Sequence, residues 1–535
     1  MLNLLGQVAL VGAVLVPLVG AAVTAIGTRG ADWRCRVATG LAWCGGVLAL
    51  TAVLWVALRG PYGVFVDAGS GRPLVGLWAD QLTVTLLALV CVVGAVVQSF
   101  SLRYLHGDRA APRFFAAANV VVAAMAVVCT SVTLALLVVA WVGAGVAFVM
   151  VVGSRPDLPG VPAATRRTLR MFAVGDFALV VAMVVVSVRV GNVDLASSFE
   201  LRTAARQLGG VATLIALLVV VAALTRSAQG PFGRWLPGTV SAPTPTSALL
   251  HAGVVNGGGI LLIRLAGLTG SSWLVLTGLF TVAALTAVVA PMLMVHRADV
   301  KGSLVYSTMG QMGFMVAECA VGAYLAAVAH LMGHALYKAT LFFGSGSQVP
   351  RAGHLPKGSD QSIPTWWRVV ASVATTAAAL GVMAGVPGVL TTRGAGVLLL
   401  FVGATVATAS WSWWRRGPIS ARWSAVWAAS LLIAGVLYGL ALAGLGRWIS
   451  PALPTPGVGA LSPWILVGVA GTGLAAAVIA RRPAVRRRLV AYLVDAGAPS
   501  EEHRGRTFGE GRRGVVAGAP RHVAEPAEQW EESAA

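Results

Sequence analysis

The sequence predicts an all-α polytopic membrane protein with about fifteen transmembrane helices, and three observations lead to this prediction. Hydrophobic residues make up 57% of the 535 residues and charged residues only 11%, whereas a soluble domain carries about 25% charged residues. The mean hydropathy is +0.81. Apolar runs of roughly twenty residues, the length that crosses the hydrocarbon core of a bilayer, recur from one end of the chain to the other.

The apolar runs define the predicted helices in order. They lie near 4–26, 37–58, 81–102, 114–131, 132–152, 168–189, 209–226, 243–264, 273–295, 302–323, 325–346, 366–386, 394–413, 423–446 and 460–480. Alternate loops are rich in arginine, for example Arg34, Arg103 and Arg166, and the positive-inside rule assigns these loops to the cytoplasm. This predicts an outside N-terminus and a cytoplasmic C-terminus. The net charge of +20 is therefore interpreted as topology, and no nucleic-acid partner is expected.

The chain divides into five predicted regions. Transmembrane helices fill 1–60, and an extracytoplasmic β-hairpin follows over 61–80, where YGVFVDAGSGRPLVGLWAD alternates around a Gly-Ser-Gly turn. A core of membrane helices occupies 81–350, and further transmembrane helices occupy 351–480. The tail over 481–535 is polar and poor in apolar residues, so it is expected to be a disordered cytoplasmic extension. Its first arginines would lie near anionic membrane lipid.

The apolar pattern is interrupted over 226–242, which reads RSAQGPFGRWLPGTVSA. Glycine and proline break helices there, and the segment is either a cytoplasmic loop or a discontinuous, re-entrant helix of the kind transporters use. The stretch after it starts with two prolines that suit a helix start and then carries three glycines that allow close helix packing. The residues predicted for this break and its packing are Pro231, Pro237, Pro243, Pro245, Gly257, Gly258 and Gly259.

Ionisable residues lie inside several predicted spans, where a charge costs about 2.5–3.5 kcal/mol on insertion scales. In AVAHLMGHALYKATLFF, three titratable residues recur every four positions and share one helix face. Four further residues supply both signs of charge in neighbouring spans. Together these residues predict a proton relay or ion-conduction path: Asp176, Arg226, His251, Glu318, His330, His334 and Lys338.

The sequence predicts no catalytic residue and no metal site in this chain. The five cysteines form no C-x-x-C pair and lie in or at the edges of spans, so they are interpreted as buried apolar residues. There is also no P-loop, no dinucleotide-binding glycine motif and no HExxH.

Two motifs carry a resemblance to a known family. SAQGPFGRWLPGTVSAPTPTSALLHAG together with HLMGHALYKATLFFGSGS resembles the proton-conducting membrane subunits of respiratory complex I and of Mrp-type antiporters, over roughly residues 60 to 350. HAGVVNGGGILLIR and the segment STMGQMGFMVAECAVGAYLAAVAHLMGHALYKATLFF look more like the DabB group, the membrane subunits of the DabA–DabB inorganic carbon pump. The resemblance implies an antiporter fold with two inverted helical repeats and broken helices.

The resemblance also implies residue roles, with two departures from the family pattern. Asp176 matches the acid of the sixth span, His251 the eighth-span histidine, and the residues of the 330–338 face match the central relay. The family's fifth-span glutamate follows a tryptophan, but here Val142 follows Trp141. The seventh-span lysine is replaced by Arg226, which is effectively always charged and therefore cannot carry protons.

By this resemblance, the chain is expected to conduct protons or sodium ions in a bacterial cell membrane and to drive CO2 hydration or uptake. The partner would be a DabA-like soluble subunit that holds zinc, and this chain itself would need no cofactor. The alternative is a proton-pumping subunit like complex I subunit L (ND5), with complex I subunits as partners, or an Mrp-type antiporter subunit. A third possibility, motivated by the two departures, is a structural anchor that no longer conducts.

Overall fold

The computed structural model describes residues 2–67, 73–297, 299–344, 365–387 and 421–454, together with six further positions between 402 and 488. Within these ranges, one two-stranded sheet accompanies a set of helices. In chain order the elements are α1 (Leu2–Ile26), α2 (Ala31–Arg59), β1 (Tyr62–Asp67), β2 (Pro73–Ala79), α3 (Gln81–Tyr104), α4 (Ala111–Thr130), α5 (Leu134–Val152), α6 (Val161–Arg189), α7 (Ser198–Leu208), α8 (Val211–Arg226), α9 (Trp235–Gly238), α10 (Thr244–Ala252), α11 (Gly257–Arg264), α12 (Ala266–Thr269), α13 (Trp273–Val295), α14 (Val300–Ala320), α15 (Tyr324–Gly344), α16 (Thr365–Ala384) and α17 (Ala421–Ile449).

Most of these helices are long and apolar enough to cross a membrane. In the described ranges, nine helical segments meet this criterion by length and composition. Helices α14 and α15, which carry four of the seven predicted ionisable residues, are each 21 residues long, or about 32 Å at 1.5 Å per residue. They fall outside the set of nine, but their length suffices to cross the hydrocarbon core. The predicted all-helical membrane fold is confirmed.

The predicted spans coincide with helices, apart from 394–413 and 460–480, which lie almost wholly outside the described residues. The span predicted over 243–264 is a single helix in the sequence analysis but two helices in the structure. α10 ends at Ala252, and α11 begins at Gly257 after a 3₁₀ turn over Val254–Asn256. Gly253 separates them with φ −124° and ψ −74°, outside the helical region.

The predicted helix break over 226–242 is confirmed. α8 ends at Arg226, and the chain then makes a 3₁₀ turn after Pro231, the four-residue helix α9 that contains Pro237, and a second 3₁₀ turn. Pro243 is the N-cap of α10, and Pro245 lies in its first turn, where a missing backbone N–H is not costly. The break packs against α6 and α14.

The interior of the break is buried and hydrogen-bonded. The side chain of Gln229 donates to the carbonyl of Ser227 at 2.7 Å, and the indole of Trp235 donates to the carbonyl of Thr225 at 3.0 Å. Gln229, Trp235 and Leu236 are at most 1% exposed. This burial favours the discontinuous, re-entrant interpretation over a solvent-exposed loop, because irregular backbone at membrane depth must be satisfied by protein.

A small extended layer closes one end of the helices. β1 and β2 pair antiparallel, with Tyr62 opposite Ala79. The layer continues through isolated bridges from Leu77 to Ser131 and from Thr133 to Asp194. The hairpin is thereby tied by backbone hydrogen bonds to the linkers α4–α5 and α6–α7.

The main hydrophobic core includes residues from α2 through α15 and extends to Ile449 of α17. Large apolar side chains also face outward, for example Leu58 at 70%, Val139 at 69% and Phe177 at 72% exposure. Such faces are expected where helices contact lipid instead of water. Of the five cysteines, all of them free, four are buried as predicted, but Cys44 on α2 is exposed.

Candidate functional site

An ion pair joins α6 and α8 inside the bundle. Arg226 Nη2 lies 2.8 Å from Asp176 Oδ1, and the two side chains are 1% and 14% exposed. The guanidinium carbon lies 4.3 Å from the ring centres of both Trp141 and Phe172, within the range of cation–π attraction. Nη2 also donates to the Trp141 carbonyl at 3.3 Å. The charge of Arg226 is therefore held by one carboxylate and two aromatic faces.

Gly145 on α5 makes room for this pair. A Cβ added at that position would lie 2.8 Å from Arg226 Nη2 and 3.2 Å from Asp176 Oδ2. On the opposite side, a Cβ at Gly257 of α11 would lie 3.5 Å from Arg226 Cγ and 3.4 Å from the ring of Trp141. The first contact is closer than real Cβ atoms come, so a side chain at position 145 would displace the pair.

A second group of ionisable residues lies between α14 and α15. Glu318 Oε2 is 3.1 Å from His330 Nδ1, and both side chains are almost fully buried. The rings of His330 and His334, one turn apart on α15, have centres 6.4 Å apart. A carboxylate and two imidazoles therefore follow one another along the α14–α15 interface.

Lys338 lies one further turn along the same face of α15 and is 0% exposed. Its Nζ donates to Ser307 Oγ at 2.9 Å and to the Leu304 carbonyl at 3.4 Å. These are neutral partners on α14, so no carboxylate compensates the lysine directly within the described ranges. A buried ammonium held only by neutral oxygens can release its proton at a smaller cost than a paired one.

His251 reaches this second group from α10. Its ring stacks on Phe342 of α15, with ring centres 4.6 Å apart and an interplanar angle of 6°. It is close enough to Lys338 and His334 to interact with them electrostatically. The structure thus brings the predicted residues into two groups, the Asp176–Arg226 pair and the five-residue cluster around α15.

Several buried polar atoms of these groups have no hydrogen-bond partner among the described residues. They are both ring nitrogens of His251 and of His334, Glu318 Oε1 and Arg226 Nη1. Buried polar atoms in proteins are normally satisfied, by ordered water where protein atoms do not suffice. These atoms identify the interior positions where bridging water would find donors and acceptors.

Helix α11 connects the two groups, because it packs against α8 on one side and α14 on the other. Its three glycines are contact positions. A Cβ at Gly258 would lie 2.2 Å from Ser227 Oγ and 2.4 Å from the Ala223 carbonyl oxygen, and one at Gly259 would lie 2.6 Å from Met315 Cε. The glycines therefore let three helices approach closely, as predicted for small residues in membrane bundles.

Sequence reasoning missed the partners that hold the charges. Phe172, one of the two aromatic faces on Arg226, lies four residues before Asp176, so helical spacing alone places both on one face of α6. Ser307 lies eleven residues before Glu318, close to three full helical turns. The break at Gly253 had only a weak signal, because a single glycine in an apolar run is compatible with a continuous helix.

Metal binding is not indicated in the part of the chain that the structure describes. No three histidine, cysteine, aspartate or glutamate side chains converge there. The Glu318–His330 contact brings two such residues together, and the ring centre of His334 lies 6.4 Å from that of His330.

The structure is thus that of a polytopic membrane protein whose broken helices enclose buried charges of both signs. Residues 131–414 match the family described as "NADH:quinone oxidoreductase/Mrp antiporter, TM", and residues 65–115 match "NADH-Ubiquinone oxidoreductase (complex I), chain 5 N-terminus". The first match covers more than half of the chain. The chain belongs to the NADH:quinone oxidoreductase/Mrp antiporter family of membrane subunits.

Curated relatives divide between two kinds of subunit. The chain is 38% identical over 281 residues to a probable inorganic carbon transporter subunit DabB1 of Halothiobacillus neapolitanus, which covers 52% of this chain and 50% of the relative. It is 35% identical over 306 residues to a probable inorganic carbon transporter subunit DabB of Bacillus anthracis, covering 57% and 59%. It is 31% identical over 348 residues to NADH-quinone oxidoreductase subunit L of Mycobacterium tuberculosis, covering 63% and 55%. The matches thus span half to three-fifths of these relatives' length.

Solved membrane complexes share the fold. The Mrp complex from Dietzia sp. DQ12-45-1b matches with a TM-score of 0.59 and 22% identity, over 96% of this chain and 60% of the matched chain. An archaeal membrane-bound sulfane sulfur reductase, described as a respiratory membrane complex, matches with a TM-score of 0.62 and 17% identity, over 83% and 98%. At these identities the comparison concerns the fold alone, and it agrees with the predicted antiporter architecture.

Proposed function

We propose that this chain is the ion-conducting membrane subunit of an energy-coupled inorganic carbon pump. In this proposal, protons or sodium ions move inward through the chain and drive CO2 hydration and uptake by a peripheral, DabA-like zinc subunit. The similarity to curated DabB subunits at 35–38% identity supports the choice of pump. In this proposal the hydration chemistry, and the zinc that supports it, belong to the partner subunit.

The observation that carries the proposal is the buried row Glu318, His330, His334 and Lys338, with His251 beside it. Histidine and a buried lysine can exchange protons near neutral pH. Buried groups of this kind in membrane helices commonly form ion or proton paths. Protons would pass between the carboxylate of Glu318 and the amine of Lys338 through the two imidazoles of α15.

The Asp176–Arg226 pair has a different role in this proposal. An arginine cannot release its proton, so Arg226 acts as a fixed positive charge. The two aromatic faces and the carboxylate hold it in place. This pair would set the electrostatic potential at one end of the path without carrying the ion.

The energetic requirement can be met by one charge per cycle. A charge that moves through about 150 mV releases roughly 3.5 kcal/mol, at about 2.3 kcal/mol per 100 mV. That free energy supports a concentration ratio of a few hundred, since about 1.4 kcal/mol corresponds to a factor of ten. An uncoupled hydratase could not exceed equilibrium, so the membrane subunit would make hydration effectively one-way.

The test replaces Lys338 in cells that depend on the pump for bicarbonate accumulation. Lys338→Met removes the titratable group and Lys338→Arg keeps the positive charge without a releasable proton. Both variants are expected to abolish bicarbonate accumulation while the complex still assembles. Leu336→Ala is the matched control, because Leu336 is on the same helix and 56% exposed, and it should leave accumulation unchanged.

Full activity of Lys338→Met would remove Lys338 from the path. Activity of Lys338→Arg alone would mean that a fixed charge suffices at this position, which would refute proton transfer through the lysine. Proteoliposomes of the full complex provide the second readout, because the absence of any cation-dependent signal would identify a structural anchor.

The alternative function is a proton-pumping subunit of NADH:quinone oxidoreductase, favoured by the 31% identity to a subunit L. Purification of the tagged chain from its own membranes, with mass spectrometry of what accompanies it, separates the two. A stoichiometric soluble zinc protein is expected for the carbon pump. A set of respiratory subunits without it would replace the carbon proposal with the complex I one.

The proposed orientation follows from the distribution of arginines, with the N-terminus outside and the C-terminus in the cytoplasm. In this orientation the end of α3 that carries Arg103 and the loop after α5 that carries Arg155 face the cytoplasm, where the soluble partner would bind. Accessibility of single cysteines introduced beside Arg155 and in the 62–79 hairpin, probed from each side of sealed vesicles, tests it. Labelling of the hairpin from the cytoplasmic side would reverse the assignment.

A further inference from the structure

A cavity of about 390 Å³ lies where α2 begins, α3 ends and α4 begins. Two arginines, Arg36 of α2 and Arg103 of α3, line it, together with His106. Its remaining wall is largely apolar and includes Leu102 and Phe115. A basic mouth over an apolar wall is the arrangement that binds an amphiphile with an anionic head.

The two arginines have no carboxylate partner among the described residues, since neither belongs to an ion pair there. The acid at the cavity, Asp32, lies 3.7 Å from His106 Nδ1, and both of these side chains are more than half exposed. Two guanidinium groups that face one cavity repel each other unless an anion lies between them. Guanidinium groups bind phosphate in a planar, bidentate manner.

Beyond the cavity, the side of α2 that carries Arg36 continues as an exposed face. Gly40 lies one turn after Arg36 and is exposed, and an added Cβ there would have no atom within 4 Å. Trp43, one further turn along and 42% exposed, donates through its indole N–H to Ser99 of α3 at 2.8 Å. This leaves an open strip beside Gly40, along the exposed side of the α2–α3 contact, that an acyl chain can occupy.

We propose that this cavity binds the phosphate headgroup of an anionic phospholipid, with Arg36 and Arg103 holding the phosphate and an acyl chain lying past Gly40. The shared chemistry is a phosphate group, and the strip beside Gly40 favours a lipid over free phosphate. Basic pockets between membrane helices bind acidic lipid headgroups in this way. The site is separate from the buried row on α15 and does not depend on the proposed function.

The test measures binding of phosphatidylglycerol and phosphatidylcholine to the delipidated full-length protein in detergent, by native mass spectrometry. Phosphatidylglycerol is expected to bind more tightly. The double variant Arg36→Gln/Arg103→Gln should weaken its binding about tenfold or more, because each basic side chain at a membrane surface contributes measurably to acidic-lipid binding. The matched control is Arg109→Gln/Arg113→Gln, which removes the same charge from exposed positions that do not line the cavity.

Equal loss in both double variants would overturn the site, because the arginines would then act only through general surface charge. Displacement of the lipid by inorganic phosphate at millimolar concentration would identify free phosphate as the ligand and overturn the lipid. A second variant, Gly40→Leu, keeps every charge. It separates loss of the acyl-chain path from misfolding of the headgroup site. It is expected to weaken phosphatidylglycerol binding while leaving binding of water-soluble glycerol phosphate unchanged, and unchanged lipid binding would refute the acyl-chain path.

Discussion

The buried ion pair between α6 and α8 gives the sharpest stability prediction, through the glycine that faces it. Gly145→Ala adds a Cβ 2.8 Å from Arg226 Nη2 and 3.2 Å from Asp176 Oδ2. The guanidinium cannot easily move away, because it lies 4.3 Å from the centres of two aromatic rings and 2.8 Å from the carboxylate. The added methyl group must therefore stretch the pair or shift α5.

The magnitude follows from two opposing effects. Overpacking a well-filled interior costs about 1–3 kcal/mol, and replacing glycine by alanine within a helix gains up to about 1 kcal/mol. Gly145→Ala should therefore lower the free energy of unfolding by roughly 0–3 kcal/mol. Gly143→Ala is the control on the same helix, because its new Cβ would have no atom within 4 Å, and it should receive only the gain.

The assay is unfolding of the purified chain in detergent micelles, with the two alanine variants compared under the same conditions. We expect the variant at position 145 to be about 1–3 kcal/mol less stable than the variant at position 143, since the helix-propensity gain is common to both. Equal stability of the two would show that the pair is not confined by α5, and the fixed-charge role of Arg226 would lose its structural basis.

Two further substitutions test other parts of the interior, and a third tests an exposed ion pair in the loop after α5. Gly258→Ala should destabilise by about 1–3 kcal/mol or more, because its Cβ meets a backbone carbonyl at 2.4 Å; thermal unfolding checks this. Phe342→Ala should cost about 3–5 kcal/mol, since the ring is fully buried and stacked on His251; chemical unfolding checks this. Hydrogen bonds from Arg155 hold the pKa of Asp157 below its usual 3.8, so its stabilising contribution, present above pH 3.8, should fade as pH falls through the lowered pKa; melting temperatures of wild type and Asp157→Asn should converge there.

Each of these predictions has its own control. Gly278→Ala adds a Cβ with no atom within 4 Å and should not destabilise; an equal loss at 258 and 278 would mean that close packing is not the cause. Tyr337→Ala removes an exposed ring on the same helix as Phe342 and should change stability by less than about 0.5 kcal/mol. For Asp157, a difference from Asp157→Asn that persists unchanged below pH 3.8 would contradict the linkage to its carboxylate.

Most of the fold could be predicted from the sequence, because the bilayer sets the length and the apolar character of every span. Each span needs about twenty apolar residues, and such a run can be recognised from its hydropathy alone, without knowing which helices pack against it. The break after Arg226 was readable for the same reason, since its glycines and prolines interrupt the pattern. The break at Gly253 was not, because the residues around it are apolar and its geometry depends on how α10 and α11 pack against other helices.

The charged residues of the candidate site could be predicted from the sequence, but the side chains that contact them could not. Ionisable residues are costly in a membrane, so Asp176 and Lys338 stand out in the sequence even in isolation. Ser307, by contrast, has no feature in the sequence that marks it. Only the packing of α15 places the amine of Lys338 2.9 Å from its hydroxyl. The pairing of charges with aromatic faces is likewise a property of the packed bundle, since cation–π geometry requires the ring to lie within about 6 Å.

An arginine at position 226, as opposed to a lysine, fits this packing better than it fits a relay. A lysine at that position would be a compact ammonium able to lose its proton, whereas the planar guanidinium of Arg226 is always charged and stacks on the rings of Trp141 and Phe172. Lys338, with only neutral oxygen partners on α14 within the described ranges, is the opposite case. In the proposed function, the same membrane interior therefore holds one cation in place and lets the other exchange its proton. This difference is why we assign the fixed charge to Arg226 and ion transfer to the row on α15.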